Sequence, residues 1–253
     1  MNNSAYFTRL DADSFQPNIH AEGAWSKEDY HFAALAGLLT HVIEKSRGDS
    51  PLQLARINFE ILGRLPFGPA TTEVRVIRPG RTIELVEATC TLAGRTAISS
   101  RAWYLHPSDT NDVAACDFPS LPEPMACPER DFASEWPGGF IAQMQARQVD
   151  KPRATWLTSP NTLVAGDEPI PVAEFLARVD AANGINPRQS PREWAFPNVD
   201  LTVHLFREPD PKWTGLETTV TWGATGVGLT SSVLHDIHGP VGRAEQALTL
   251  RRM

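Results

Sequence analysis

The chain has 253 residues, 42% of them hydrophobic, and a formal net charge of −7. That length can bury a sizeable core without staples. The acidic balance argues against general nucleic-acid backbone binding, which needs a basic face, but leaves room for a local arginine cluster on a phosphorylated ligand. Three cysteines at irregular positions form no disulfide framework, and no apolar run approaches the ~20 residues of a membrane span. Met1-Asn2-Asn3-Ser4 lacks the basic-then-apolar pattern of a signal peptide, so the expected compartment is a reducing cytoplasm.

In chain order, Ala5 to Trp25 reads as one or two strands. Leu35, Leu38, Leu39, Val42 and Ile43 then fall on one helical face, ended by Gly48 and Pro51. Strand-like runs follow at Leu54 to Leu62, Thr71 to Arg78, Thr82 to Leu92 and Thr96 to Leu105. The turn Ala93-Gly94-Arg95 between the last two predicts a hairpin. Residues 106–138 hold Pro107, Pro119, Pro122, Pro124, Pro128 and Pro137 and read as an extended linker. Beyond it, Arg153 to Leu157 is a strand candidate, and Val172, Phe175, Leu176 and Val179 have helical spacing. Asn198 to Phe206, Gly215 to Trp222, Gly228 to Asp236 and Val241 to Arg251 are again strand-like.

The chain therefore says one thing twice. Residues 53–105 and 197–250 share punctuation at an offset of about 145 positions. Gly94 answers Gly239, Ala102 answers Ala247, Leu105 answers Leu250 and Leu54 answers Val199, while Ile57, Phe59 and Ile61 answer Leu201, Val203 and Leu205 one register earlier. A helix followed by an antiparallel meander, repeated, predicts an α+β fold with helices on one face of a continuous sheet. The expected units are 1–105 and 139–253, joined by the linker.

Several motifs have ordinary structural explanations. Gly223-Ala-Thr-Gly226-Val-Gly228 precedes a β-like run rather than a helix, so a hairpin turn is expected there and not a nucleotide loop. His235 and His238 flank a turn without the ligand set of a closed metal site. Cys90 sits in a strand pattern as a small core residue, and there is no Gly-x-Ser-x-Gly elbow. Three polar residues are harder to place. Asp180 follows an apolar helical stripe, Asn198 opens a strand, and Gln246 interrupts a terminal strand otherwise built for packing. A cap, an edge residue and a satisfied amide are the structural alternatives.

In Arg78-Pro-Gly-Arg81, Val179-Asp-Ala-Ala-Asn-Gly184, Val199-Asp-Leu-Thr-Val-His-Leu205 and Gly242-Arg-Ala-Glu-Gln-Ala-Leu248, taken in order across the two copies, the chain resembles the acyl-CoA thioesterase II (TesB-like) family. The resemblance covers nearly its whole length. It implies a double hotdog: two fused helix-plus-antiparallel-sheet units forming one continuous sheet. It also implies hydrolysis of a fatty acyl-CoA to acid and CoA, part of lipid metabolism, without metal or other cofactor. The family's water-holding set is an Asp, a Thr or Ser, and a Gln. Asp180 and Gln246 match, and Asn198 stands where the hydroxyl residue belongs. An amide positions a water but cannot relay its proton as a hydroxyl does.

On this resemblance Asp180 and His31 each stand near the start of a central helix, with Val172 to Val179 forming a preceding helix. A helix dipole would then lower the Asp180 pKa, and helix-start amides would bind the oxyanion. The first copy reads His31-Phe32-Ala33 where many relatives have His-Gly-Gly, and bulky Phe32 restricts close approach to the backbone. His31, Arg78 and Arg81 are the candidate substrate-binding residues, the arginines for CoA phosphates along with Arg56. A homo-oligomer is expected from exposed sheet edges, with no nucleic-acid partner. Two other readings stay open: an acyl-binding protein that has lost turnover, motivated by Asn198 and Phe32, and more weakly a hotdog hydratase, whose motif is not found. The first copy carries His31 at its helix start, and Gln53 and Arg101 at the offset of 145, where the second carries Asp180, Asn198 and Gln246.

Overall fold

A computed structural model describes residues 5–149 and 154–253. The N-terminal stretch forms β1 (Ala5–Arg9) and β2 (Ser14–Pro17). The apolar stripe becomes α1 (Phe32–Arg47), which is buried on all sides from Phe32 to Ile43. His31 caps its start, its Nδ1 accepting from the Ala33 amide at 3.3 Å. Gly48, at φ 54°, ends it in a left-handed conformation that suits glycine. The meander follows as β3 (Gln53–Ile61), β4 (Ala70–Arg78), β5 (Ile83–Leu92) and β6 (Arg95–Leu105), all antiparallel. The hairpin turn falls at Ala93-Gly94 as the sequence predicts.

The Pro-rich stretch does not stay extended to residue 138. It runs over the surface at first, then forms β7 (Glu129–Arg130) and one helical turn, α2 (Phe132–Glu135). Phe132 and Trp136 are buried in the main core. Each is too large to leave in water, since burial stabilises such a side chain by roughly 1.5–3 kcal/mol. A second turn, α3 (Gly139–Ala142), leads to β8 (Gln145–Gln148) and β9 (Ala154–Thr158). Arg153, which opens that strand candidate in the sequence, lies outside the described residues. β10 (Thr162–Val164) crosses back to pair in parallel with β1, so the second unit contributes a strand to the edge of the first.

The second helical run is broken. α4 (Pro171–Leu176) is followed by a 3-10 turn at Val179–Ala181 and by α5 (Ala182–Ile185). After β11 (Trp194–Ala195) and β12 (Asp200–Leu205) come β13 (Thr214–Trp222) and β14 (Val227–Asp236); α1 packs on β4 and β5, and α5 packs on β13 and β14. The run from α4 to α5 thus fills the place that α1 fills in the first copy. Asp180 lies within it, not at the head of a long helix. β15 (Gly239–Thr249) and β16 (Arg251–Arg252) complete the chain.

β11 and β16 pair with each other, and the remaining strands make one fourteen-stranded sheet, β10-β1-β2-β4-β5-β6-β3-β12-β15-β14-β13-β9-β8-β7. The two copies meet at the antiparallel β3–β12 pair, with Glu60 opposite Asp200 and Arg56 opposite His204. Corresponding strands stand in mirrored order on either side. The inward rows give the true correspondence. Ser100, Ala102 and Tyr104 face the core in β6, as Ala244, Gln246 and Leu248 do in β15. Leu54 lies opposite Tyr104, as Asn198 lies opposite Leu248. The counterparts of Asn198 and Gln246 are therefore Leu54 and Ala102, one position away from the Gln53 and Arg101 given by the sequence offset.

Candidate active site

The break between α4 and α5 is held by buried polar side chains. Arg178 donates from Nε to Thr214 Oγ1 at 3.0 Å and from Nη2 to the Pro211 carbonyl. Asn183 donates to the Phe196 carbonyl at 2.9 Å, tying α5 to the loop that carries Asn198. Trp136 donates from Nε1 to the Gly184 carbonyl at 2.9 Å. A Cβ at Gly184 would stand 3.2 Å from the Trp136 indole nitrogen, a tight fit that glycine relieves.

Asp180 projects from the 3-10 turn and is 7% exposed. Its Oδ1 accepts from Asn198 Nδ2 at 2.8 Å and from Gln246 Nε2 at 2.7 Å. Asn198 spends its second hydrogen on the Asp200 carbonyl at 2.9 Å. The structure thus brings together Asp180, Asn198 and Gln246, residues distant in sequence, on a single carboxylate oxygen. Gln246 is buried behind Asp180, and its Oε1 has no partner among the described residues. His31 Nδ1 stands 3.7 Å from the other carboxylate oxygen, Oδ2. That is too long for a hydrogen bond. Nor is it an ion pair, since burial pushes the imidazole down to about 3. The ring is stacked on Phe140 with centroids 4.0 Å apart.

Burial pushes the Asp180 carboxyl up to about 7, against the lowering supplied by Asn198 and Gln246. The helix dipole expected to depress it is missing, because the helix that follows is a single turn of four residues. Without a cation nearby, desolvation wins. The result is a carboxylate whose proton leaves near neutrality, the range in which a general base works best.

Asp180, His31 and Asn198 line a cleft of about 670 Å³ between the two copies. Its walls include Trp25, Phe32, Trp136 and Phe196. Trp25 packs edge-on against Trp136 and Phe196, each at 5.1 Å. Phe32, the first residue of α1, packs edge-on against Phe59 at 5.8 Å. Arg78 and Arg81 are not on this cleft: they sit exposed at the β4–β5 turn, where Arg78 donates to the Ile83 carbonyl at 2.5 Å. The arginines at the cleft are Arg64 and Arg251. These, with Trp25, Trp136 and Asn183, escaped the sequence reading. All but Asn183 come from connecting segments or a terminal strand without periodic pattern. His235 is in the buried part of β14, not in a surface turn, whereas His238 is exposed. No group of three or more His, Cys, Asp or Glu among the described residues is placed to hold a metal. No helix among them is long and apolar enough to cross a membrane.

The architecture and the site define a duplicated hotdog protein with one carboxylate-centred cleft. Residues 21–105 match the family model for the acyl-CoA thioesterase N-terminal domain, and residues 117–250 match that for the C-terminal domain. The chain belongs to this acyl-CoA thioesterase family. Similar solved structures include the acyl-CoA thioesterase II TesB2 of Mycobacterium marinum, at 14% identity and TM-score 0.66 over 98% of this chain and 96% of that one. A hot dog fold protein of Alicyclobacillus acidocaldarius matches at 14% identity and TM-score 0.74 over 99% and 97%. A candidate thioesterase of Novosphingobium aromaticivorans matches at 16% and TM-score 0.75 over 97% and 98%. A search of curated proteins found no match.

Proposed function

We propose that the protein hydrolyses a fatty acyl-CoA thioester to the free acid and CoA, with Asp180 as general base. The observation that carries this reading is a buried carboxylate with no counter-cation, one oxygen fixed by two amides and the pKa raised to about 7. Above that pH the free oxygen takes a proton from water as the water oxygen attacks the thioester carbon. The charge that develops on the carbonyl oxygen falls to the Phe32 amide, which opens α1 at the cleft wall; the next amide, of Ala33, is already held by His31. Collapse of the intermediate breaks the carbon–sulfur bond, and Asp180 returns its proton to the leaving sulfur. Asn198 and Gln246 act on the carboxylate itself, holding it in one rotamer and preserving its ionised form. This differs from the shared water-holding role that the resemblance implies. The cleft's aromatic walls suit an acyl chain, and its position between the copies explains why the fused pair is needed. The same reading includes a cytoplasmic homo-oligomer, whose mass in sedimentation would exceed that of one chain.

The test is a panel of acyl-CoAs from acetyl to palmitoyl with a free-thiol readout. Asp180→Asn should lower turnover by about 10²–10⁴-fold, the usual worth of a positioned base. Undiminished release by this variant would sink the assignment. Saturable acyl-CoA binding by the wild type with no CoA release would favour the acyl-binding alternative, which Asn198 in the hydroxyl position motivates.

A further inference from the structure

Beside the main cleft lies a second groove of about 320 Å³. The two share Gly63 and Arg64, so that stretch between β3 and β4 forms a common lip. The second groove sets two cations, Arg64 and Arg95, against one carboxylate, Glu28. Arg95 follows the Ala93-Gly94 hairpin turn, and its guanidinium reaches over Gly63: a Cβ at that glycine would stand 3.8 Å from Nη2. Arg95 makes no ion pair among the described residues. Arg64 leans on Asp29, with Nη2 3.0 Å from each carboxylate oxygen. That contact leaves Nε and Nη1 free. Leu62, 54% exposed, adds a flat apolar surface on the same groove.

We infer that this second groove holds the phosphorylated nucleotide end of CoA, with Arg64 and Arg95 on its phosphates, while the thioester lies at Asp180. The inference rests on the thioesterase reading and deepens it, because it assigns the residues that hold the nucleotide end of the CoA ester. Paired guanidinium groups suit phosphate oxygens, which they bind with parallel N–H bonds. In a chain of net charge −7, two guanidinium groups line one small groove beside the cleft, with Glu28 and Asp29 next to them and Arg95 outside any ion pair among the described residues. The pantetheine arm would pass over the Gly63 lip, where the glycine adds no side chain of its own and the Arg95 guanidinium lies alongside. Arg78 and Arg81, the arginines suggested by sequence, sit at a different turn and do not reach either cavity.

The test compares an acyl-CoA with the same acyl group on N-acetylcysteamine, which lacks the nucleotide. Arg64→Gln/Arg95→Gln should lower the ratio of kcat/KM for the two substrates by about tenfold or more, through KM for the CoA ester. Adenosine 3′,5′-bisphosphate should bind the wild type in calorimetry, with affinity that falls in salt, and should lose that binding in the double variant. Arg95→Gln alone, which breaks no ion pair, guards against misfolding. An unchanged ratio with undiminished bisphosphate binding overturns the inference, as does a loss that follows Arg251→Gln instead, which would send the nucleotide over the other lip. If the wild type cleaves both thioesters alike and the bisphosphate does not bind, the groove is not the nucleotide site although the hydrolase stands. If neither thioester is cleaved, the hydrolase reading fails, and the bisphosphate titration alone still decides the groove.

Discussion

Replacing Asp180 by asparagine should make the protein more stable at alkaline pH while removing its activity. The wild-type carboxyl titrates at about 7 in the folded state, against 3.8 for the ordinary group, because burial outweighs the two amide hydrogen bonds. Between those values the folded state holds a proton that the unfolded chain has released. Folding stability therefore falls as pH rises from about 4 to 7 and is level above. At about 1.4 kcal/mol per pH unit, the two units between pH 5 and pH 7 amount to about 3 kcal/mol. An asparagine is nearly isosteric. Its Oδ1 can accept from both Asn198 and Gln246, and its amide can face His31 Nδ1, so the hydrogen-bond pattern survives without the charge. Urea unfolding of both proteins at pH 5, 6.5 and 8, with the slope checked for constancy, measures the difference. The variant's advantage should grow by about 3 kcal/mol from pH 5 to pH 8. Parallel stability profiles would show that Asp180 is not a desolvated carboxylate and would refute the reasoning from burial.

Asn198→Ala removes one of the two donors that keep Asp180 ionised. The rising limb of kcat/KM against pH should move to higher pH by up to about one unit, and a limb that stays in place would assign Asn198 a role other than holding the carboxylate. Asp236→Ala tests the second copy's structural anchor. Arg207 holds both Asp236 oxygens at 2.6 Å, and the amides of Asp210 and His238 donate to it at 2.8 Å. Although burial raises the Asp236 pKa, these donors win and hold it below the ordinary value. Its stabilisation is present above the unfolded pKa and is lost as pH falls through the lower folded one. The substitution should cost about 3–5 kcal/mol in urea unfolding at pH 7, and a loss below 1 kcal/mol would contradict this. Gly37→Val should push α1 from α4, since a Cβ there stands 2.6 Å from that of Ala177 and 2.7 Å from Leu163. A loss of about 1–3 kcal/mol in stability is expected, with kcat falling as the adjoining turn moves. An unchanged Tm would mean that the helices have room to spare.

Much of the architecture was legible because its signals are periodic. The stripe from Leu35 to Ile43 predicts α1, and alternation with turn residues predicts β3 to β6 and their repeat. The misread parts share a cause: their structure is decided by partners remote in sequence. Nothing local predicts that Phe132 and Trp136 leave a Pro-rich stretch for the core, or that β10 joins the edge of the other copy. The Asp180 environment is the sharpest case. Its neighbourhood in sequence suggests a helix start and a depressed pKa. The pKa is set instead by loss of water, which raises it, against amides 18 and 66 positions away, which lower it by less. The repeat offset was misread by one because Gly94 and Gly239 mark turns of different local geometry. Strand pairing, with its bulges near Cys90 and Leu234, absorbs the difference.

That single-position shift sharpens the asymmetry between the copies. With Leu54 and Ala102 as the counterparts of Asn198 and Gln246, the first copy lacks both amides and has apolar side chains in their places. A carboxylate on α1 at the corresponding depth would have no donors and would stay protonated. The neighbouring space is occupied instead by structure. Tyr104 donates to Glu44 Oε1 at 2.6 Å, and the Arg47 guanidinium lies 3.5 Å over the Tyr104 ring and bonds Glu84 at 2.9 Å. α1 also runs unbroken through 16 residues, whereas the second copy interrupts its helical run to turn Asp180 into the cleft. The first copy still supplies half the cleft wall, with His31, Phe32 and the Gly63–Arg64 lip. Division of labour within the duplication follows from these details: one copy keeps its helix whole and lines the site, and the other breaks its helix so that a carboxylate can be buried where two amides reach it.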